Sequence, residues 1–522
     1  MVIERKKNAK RNMIFGMVLK IYQIIMPFLM RTVMIYSLGV EYLGLNSLFV
    51  SVIQVLNLAE LGIGSAMVFS MYESIAKNDT NTICALMNLY KKYYRIIGGV
   101  ILTIGIGIMP FIPKLIKSDV PDDINIYIIY LLNLGATVLS YWLFSYKQSI
   151  LFAHQRVDIS SKISIITNTL TYAFQFVVLM LFHDYYLYLI VMVITQIINN
   201  IVTAYCAQKM YPEYIAKGKL ETKKIEEINQ RIKDLFTSKI GFVIVNSVDT
   251  IVISKFLGLT ALALYQNYFY IITAVIGFVT IIFTACTAGI GNSIIVETEE
   301  KNYKDFELFT FIISWIAGFC TVCFLCLFQP FMKIWENCSG EKLMLDFSVV
   351  ILFCIYFFVY EINQLLNLYK DASGMWHEDR LRPLVTAIVN LGLNLLTVKV
   401  LGIYGVILST VVSMLLVGMP WLLHNLFSVL FSKRNLILYV KHILSYVCIV
   451  FLSCVITYFI CLFFSLNDIT TLLVRAVLCC IIPNVLYLVV YHKNVYFKGS
   501  VTLLNEMTNH RIVFLEKFIK NL

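Results

Sequence analysis

The chain has 522 residues, 59% of them hydrophobic and 14% charged, where soluble domains run nearer about 45–50% and 25%. Its 42 Lys and Arg outnumber its 31 Asp and Glu, for a net charge of +11, and so little polar surface cannot enclose a single water-facing core. A soluble enzyme, a disordered chain and a disulfide scaffold are excluded; the composition is that of an all-α, multi-pass membrane protein.

The charged start, Met1 to Arg11, leads into an apolar run that continues to Leu38. That run is too long for the core of a cleavable leader and no small-residue cleavage site follows it. A hydrocarbon core of ~30 Å needs ~20 apolar residues per helix. On that ruler fourteen spans are read in order: 12–38, 45–72, 95–116, 124–146, 162–182, 186–208, 236–257, 262–294, 307–332, 343–369, 383–400, 403–431, 437–465 and 469–491. Gly39, Gly62, Gly105, Pro110, Gly289, Gly291 and Pro420 predict kinks that line a cavity, and a re-entrant or kinked pair is the alternative to any single span, above all to the long eighth. With the N-terminus cytoplasmic, the inside segments hold 33 Lys and Arg and the outside loops 6. That asymmetry predicts an even number of spans with both termini cytoplasmic.

The chain reads as duplicated. Leu38-Gly39-Val40 lies 219 residues before Leu257-Gly258-Leu259, and Gly62-Ile-Gly-Ser65 lies 227 before Gly289-Ile-Gly-Asn292. Ala153-His154-Gln155-Arg156 lies about 223 before Trp376-His377-Glu378-Asp379-Arg380. The expected organisation is a six-helix lobe over 1–207, a polar cytoplasmic linker over 208–239, and a second six-helix lobe over 240–432 whose first span begins near 236. Two extra helices and a cytoplasmic tail occupy 433–522. Two lobes of equal orientation around a central cleft suggest alternating access.

The pattern Arg31-x4-Tyr36-Ser-Leu-Gly39-x-Glu41-Tyr-x-Gly44-Leu, followed by Leu58-Ala-Glu60-Leu-Gly-Ile-Gly64-Ser-Ala, resembles the start of Wzx-type polysaccharide flippases. These are lipid-linked oligosaccharide transporters of the multidrug/oligosaccharidyl-lipid/polysaccharide exporter superfamily. Asn246-x2-Asp249-x3-Ile253-Ser-Lys-Phe-Leu-Gly258 is similar to the same family's seventh helix, and the likeness covers about residues 10 to 430. The resemblance implies translocation of an undecaprenyl-diphosphate-linked oligosaccharide from the inner to the outer leaflet of the bacterial inner membrane. It implies neither an enzymatic step nor a cofactor. Membrane lipids and polysaccharide assembly proteins are the further expected partners, with no nucleic acid.

Ionisable residues at membrane depth cost roughly 2.5–3.5 kcal/mol each on insertion scales, which makes each a candidate functional group. They are Lys20, Arg31, Glu60, Asp249, Glu361 and Arg475. Lys20 and Arg31 fall within about 20° of each other on the first helix, about 16 Å apart along it. With Asn57 they form the expected substrate-binding set, two cations offering a diphosphate successive partners; the competing reading has both snorkelling to opposite interfaces. Glu60 (with Gln54 and Asn57 on one polar arc), Asp249 (with Asn246 at i−3) and Glu361 (followed by Asn363, Gln364 and Asn367) form the expected ion-coupling set. Burial favours the neutral form of a carboxyl, so such a group can carry a proton, or join amides around Na⁺. Static buried pairs, for example Arg31 with Glu60, are the alternative. Arg475, outside the repeat, reads as snorkelling.

No Walker A, H-E-x-x-H or paired Cys-x2-Cys metal motif occurs. Most of the thirteen cysteines sit in apolar runs. Cys320-x2-Cys323-x2-Cys326 imitates a cluster-binding spacing, yet it lies in a membrane span and reads as small apolar helix residues. His154 and His377 recur at matching places and read as packing or interfacial groups rather than metal ligands. Two alternatives to a flippase stay open. One is a proton- or sodium-coupled drug exporter of the same superfamily, a group that usually stops at twelve spans. The other is a membrane enzyme such as a polysaccharide polymerase, against which outer loops of only about a dozen residues count.

Overall fold

The computed structural model describes residues 5–117, 120–375, 377–464 and 467–507. Its helices are α1 (Arg5–Leu38), α2 (Val40–Leu56), α3 (Ile63–Ala76), α4 (Thr80–Ile108), α5 (Ile126–Trp142), α6 (Gln148–Ala153), α7 (Val157–Leu181), α8 (Tyr185–Met210) and α9 (Thr222–Leu257). They continue as α10 (Leu259–Val296), α11 (Glu299–Ser339), α12 (Phe347–Ala372), α13 (Arg382–Leu401), α14 (Ile403–Ser413), α15 (Met419–Val429), α16 (Arg434–Leu462), α17 (Asp468–Tyr491) and α18 (Val495–Met507). No strand occurs among the described residues, as lipid demands of an open chain: each apolar run must satisfy its own backbone. Short polar residues start several helices, with Asp79 accepting from the Thr82 N–H at 3.0 Å and Asp184 from the Leu187 N–H at 2.9 Å.

Among the described residues twelve helical spans are long and apolar enough to cross a membrane, and the bent pair of α5 and α6 makes a thirteenth. The remaining span of the expected fourteen, 236–257, occupies the C-terminal part of α9. Bends fall where the backbone is forced. The second span breaks into α2 and α3 through a 3-10 turn at Asn57–Glu60 and a left-handed Gly62 (φ +88°). The fourth bends by 48° between α5 and Ser145–Ala153, beside Phe144 at φ +57°. The twelfth carries a π turn at Met414–Gly418 before Pro420. The eighth, α10, is one continuous helix with Gly289 and Gly291 inside it, a single span rather than the alternative of a kinked pair.

The chain packs as two compact units, Met1–Ala263 with Ser339–Glu341, and Leu264–Cys338 with Lys342–Leu522. Of the polar stretch 208–239 only 211–221 lies outside helices; 208–210 end α8 and 222–239 form the first turns of the 36-residue α9. In the first unit α9 runs antiparallel to α2, because side chains are kept out at both ends. A Cβ on Gly44 would overlap the Leu259 carbonyl, and one on Gly62 would sit 2.6 Å from Leu235 Cβ. Gly39 and Gly258 share one extended, positive-φ conformation (φ/ψ 106°/169° and 98°/176°), and Thr260 donates to Glu41, 219 residues away, at 3.4 Å. At this landmark the two glycines that the sequence aligns thus have the same backbone conformation. At the two loops of the histidine echo, Arg156 pairs with Asp158 in the first unit and Arg382 with Asp379 in the second, each through two nitrogens. The histidines of that echo differ, His154 being buried and His377 exposed. Trp376 and the Asn246 side chain lie outside the described residues.

In the second unit the two helices beyond the repeat pack along α11. Contacts advance in register with α16, from His442 on Glu307 (3.0 Å) to Phe311 on Tyr446. They retreat along α17, from Trp315 on Tyr487 to Lys333 on Asp468 at 2.8 Å. Gly318 lets both approach: a Cβ there would lie 2.6 Å from Tyr487 Oη and Val450 Cγ2.

Candidate functional site

The break in the second span gathers a polar cluster in the first unit. A 3-10 turn repeats every three residues, so Asn57 and Glu60 project to the same side. Asn57 Oδ1 accepts from Tyr141 Oη at 3.1 Å, and Glu60 Oε1 accepts from Tyr94 Oη at 3.2 Å. Tyr90 donates in turn to Tyr94 at 2.6 Å, and the Tyr94 and Tyr141 rings meet edge to face at 5.3 Å. Asn57 and Glu60 are half-buried, while Tyr90 and Tyr94 are buried. Gly64 keeps the space open, since a Cβ there would stand 3.1–3.2 Å from Tyr90 Oη and Glu60 Oε1. The expected helical arc from Gln54 through Asn57 to Glu60 is thus replaced by a turn that leaves Gln54 exposed. The three tyrosines were missed; the four-residue spacing of Tyr90 and Tyr94 within an apolar span was the available signal.

On α1, Tyr22 bonds Thr169 at 2.8 Å and Ser37 bonds the Leu179 carbonyl at 2.5 Å, both on α7. At 100° per residue, Lys20 and Arg31 fall on the side turned away from Tyr22. Lys20 is exposed and Arg31 half-buried, and the Arg31 charge acts on the Tyr188 hydroxyl of α8. Asp249 is 7% exposed on α9, the helix that runs along α2, beside the fully buried Ser247 and Thr250.

Glu361 stands by itself in the second unit. It is 0% exposed on α12, and neither carboxyl oxygen has a hydrogen-bond partner among the described residues. Of the amides expected to join it, Gln364 and Asn367 are engaged elsewhere, while Asn363 Oδ1 is itself buried without a partner among the described residues. Gln364 donates to Tyr360 at 3.0 Å, Asn367 donates to the Asn363 carbonyl at 2.8 Å, and Asn367 Oδ1 accepts from Arg382 at 2.8 Å. The π turn of the twelfth span packs against the same helix, and such bulges concentrate at functional sites. The structure therefore brings Asn57 and Glu60 together, puts Lys20 and Arg31 on one side of α1, and leaves Asp249 and Glu361 on separate helices.

The sequence profile of a family described as polysaccharide biosynthesis protein matches residues 9–287. No curated protein matches the sequence. Among solved structures, the lipid II flippase MurJ in an inward closed conformation is similar at 14% identity, with 92% of this chain and 99% of that one covered and a TM-score of 0.62. An inward-facing multidrug resistance MATE transporter of the MOP superfamily is similar at 15% identity, over 81% of this chain and 99% of the other, with a TM-score of 0.57. A Vibrio cholerae MATE transporter is similar at 15% identity over 81% and 98%, with a TM-score of 0.53. At these identities the likeness is one of fold.

Proposed function

The chain belongs to the polysaccharide biosynthesis protein family, a family of membrane transporters and flippases rather than enzymes, and from that premise we propose that it carries an undecaprenyl-diphosphate-linked oligosaccharide from the inner to the outer leaflet of the bacterial cytoplasmic membrane. Movement is by alternating access, driven by a proton or sodium gradient, with both termini cytoplasmic. Lys20, Arg31 and Asn57 contact the substrate, the two cations meeting the diphosphate; Glu60, Asp249 and Glu361 couple the cycle to the ion. The observation that carries the coupled-transport reading is Glu361. A wholly buried carboxyl without a partner opposes stability, and its use lies in taking up and releasing a cation as its surroundings change during a cycle.

A strain lacking this chain should accumulate lipid-linked repeat units facing the cytoplasm, and the parent gene should clear them. Normal outer-leaflet display in that strain would end the flippase reading, and a gain of drug sensitivity instead would favour a multidrug exporter. The fourteen spans read from the sequence speak against the exporter, whose relatives usually have twelve. In the same assay Arg31→Ala should abolish display at normal protein level. Arg31→Lys should retain part of it, because the charge survives while the planar fork is lost.

A further inference from the structure

Three spans bring thiols together at one point in the second unit. Cys326 of α11, Cys461 of α16 and Cys479 of α17 are each 0% exposed, and their Sγ atoms all lie within 4.8 Å of one another. Cys323, one turn before Cys326, is in contact with Cys479. Arg475, one turn before Cys479, acts electrostatically on Cys461, and its buried Nε has no hydrogen-bond partner among the described residues. No step of the proposed transport cycle uses these groups.

We propose that Cys326, Cys461 and Cys479 form a thiolate site for a divalent d10 metal ion of the zinc type, which fastens the two helices beyond the repeat to α11. Thiolates at ~2.3 Å around a tetrahedral Zn²⁺ stand about 3.8 Å apart, so the observed cluster needs to contract by at most about 1 Å. Charge selects the divalent ion. Three thiolates, a dication and the Arg475 guanidinium sum to zero, whereas a monovalent soft ion leaves a net negative charge in a low-dielectric span. Each thiol gives up its proton to solvent on binding, and the neighbouring guanidinium favours that ionisation. As a neutral thiol, Cys323 is placed to close the fourth position without altering that sum. The role fits the position, because lipid supplies no hydrophobic drive to hold one helix on another.

The test uses the full chain purified in detergent without chelator. About one zinc per chain is expected by elemental analysis. Exchange of the zinc for Cd²⁺ should produce an ultraviolet thiolate-to-metal charge-transfer band. Cys326→Ser, Cys461→Ser and Cys479→Ser should each lose the band, whereas Cys448→Ser and Cys480→Ser, at exposed positions, should keep it. In the unaltered chain, which needs no variant to fold, Zn²⁺ should raise the unfolding temperature above that of chelator-treated protein. A parent that takes up neither ion, a disulfide between any two of the three cysteines, or a full band in any one of the three variants would overturn the proposal.

Discussion

Glu361→Gln and Glu361→Met together separate the energetic role of this carboxyl from its role in transport. Glutamine keeps the length of the side chain and removes the titratable proton; methionine keeps roughly the volume and removes every polar atom. The carboxyl is fully buried and neither oxygen is met by a donor, so no ion pair or hydrogen bond is lost in either variant. An unmet buried polar group costs about 1–3 kcal/mol, and ionising it there adds several kcal/mol more. Glu361→Met is therefore expected to stabilise the folded chain by about 1–3 kcal/mol, with Glu361→Gln near neutral. Thermal unfolding in detergent measures the first effect. Translocation in proteoliposomes under an imposed pH or Na⁺ gradient measures the second, where both variants should cease to respond to the gradient. A lower unfolding temperature for Glu361→Met would show that the carboxyl has a partner to lose. A normal gradient response in Glu361→Gln would show that it does not couple. Either result refutes the reasoning.

Gly62→Ala combines a left-handed backbone with a Cβ 2.6 Å from Leu235 Cβ. It should destabilise by about 1–2 kcal/mol from the conformation and about 1–3 from overpacking, and an unchanged unfolding temperature would contradict the close approach of α9. Tyr94→Phe removes the donor to Glu60 and the acceptor for Tyr90, for a loss of about 1 kcal/mol; a variant as stable as the parent would dissolve the cluster. His154 is 4% exposed, with the near-parallel rings of Tyr211 and Tyr214 at 4.3 and 5.5 Å. Burial pushes its imidazole down from 6.5 to about 4, despite the Glu213 charge nearby. The unfolded chain binds this proton near pH 6.5 and the folded chain only near 4, so stability falls as pH drops through that window, by up to about 3 kcal/mol. The unfolding temperature of the parent should fall between pH 7 and pH 5 by more than that of His154→Phe, and equal falls would rule this out. A cysteine at the exposed Lys219 should resist an impermeant thiol reagent applied outside intact cells; labelling from outside would invert the topology.

The spans, their order and several of their ends were legible in the residues themselves, because transfer of some twenty apolar residues into a hydrocarbon core is a property of the segment alone. The Gly39 and Gly258 landmarks were legible for a related reason: a hinge with φ near +100° and an extended ψ is open essentially to glycine alone. Asn57 and Glu60 could be picked out as polar residues at membrane depth, and Glu361 likewise. Their surroundings could not, since an ionisable residue in a span reads the same whether its neighbours bond it or leave it alone. That Tyr94 and Tyr141 meet the first pair, that the amides beside Glu361 turn to Tyr360 and Arg382, and that α9 lies along α2 were decided by packing. So was the convergence of Cys326 with Cys461 and Cys479 of the consecutive α16 and α17, three thiols that each read as apolar filler. In lipid, helices associate through shape and local polar contacts rather than through hydrophobic contrast, and shape becomes defined only when the facing helix is present.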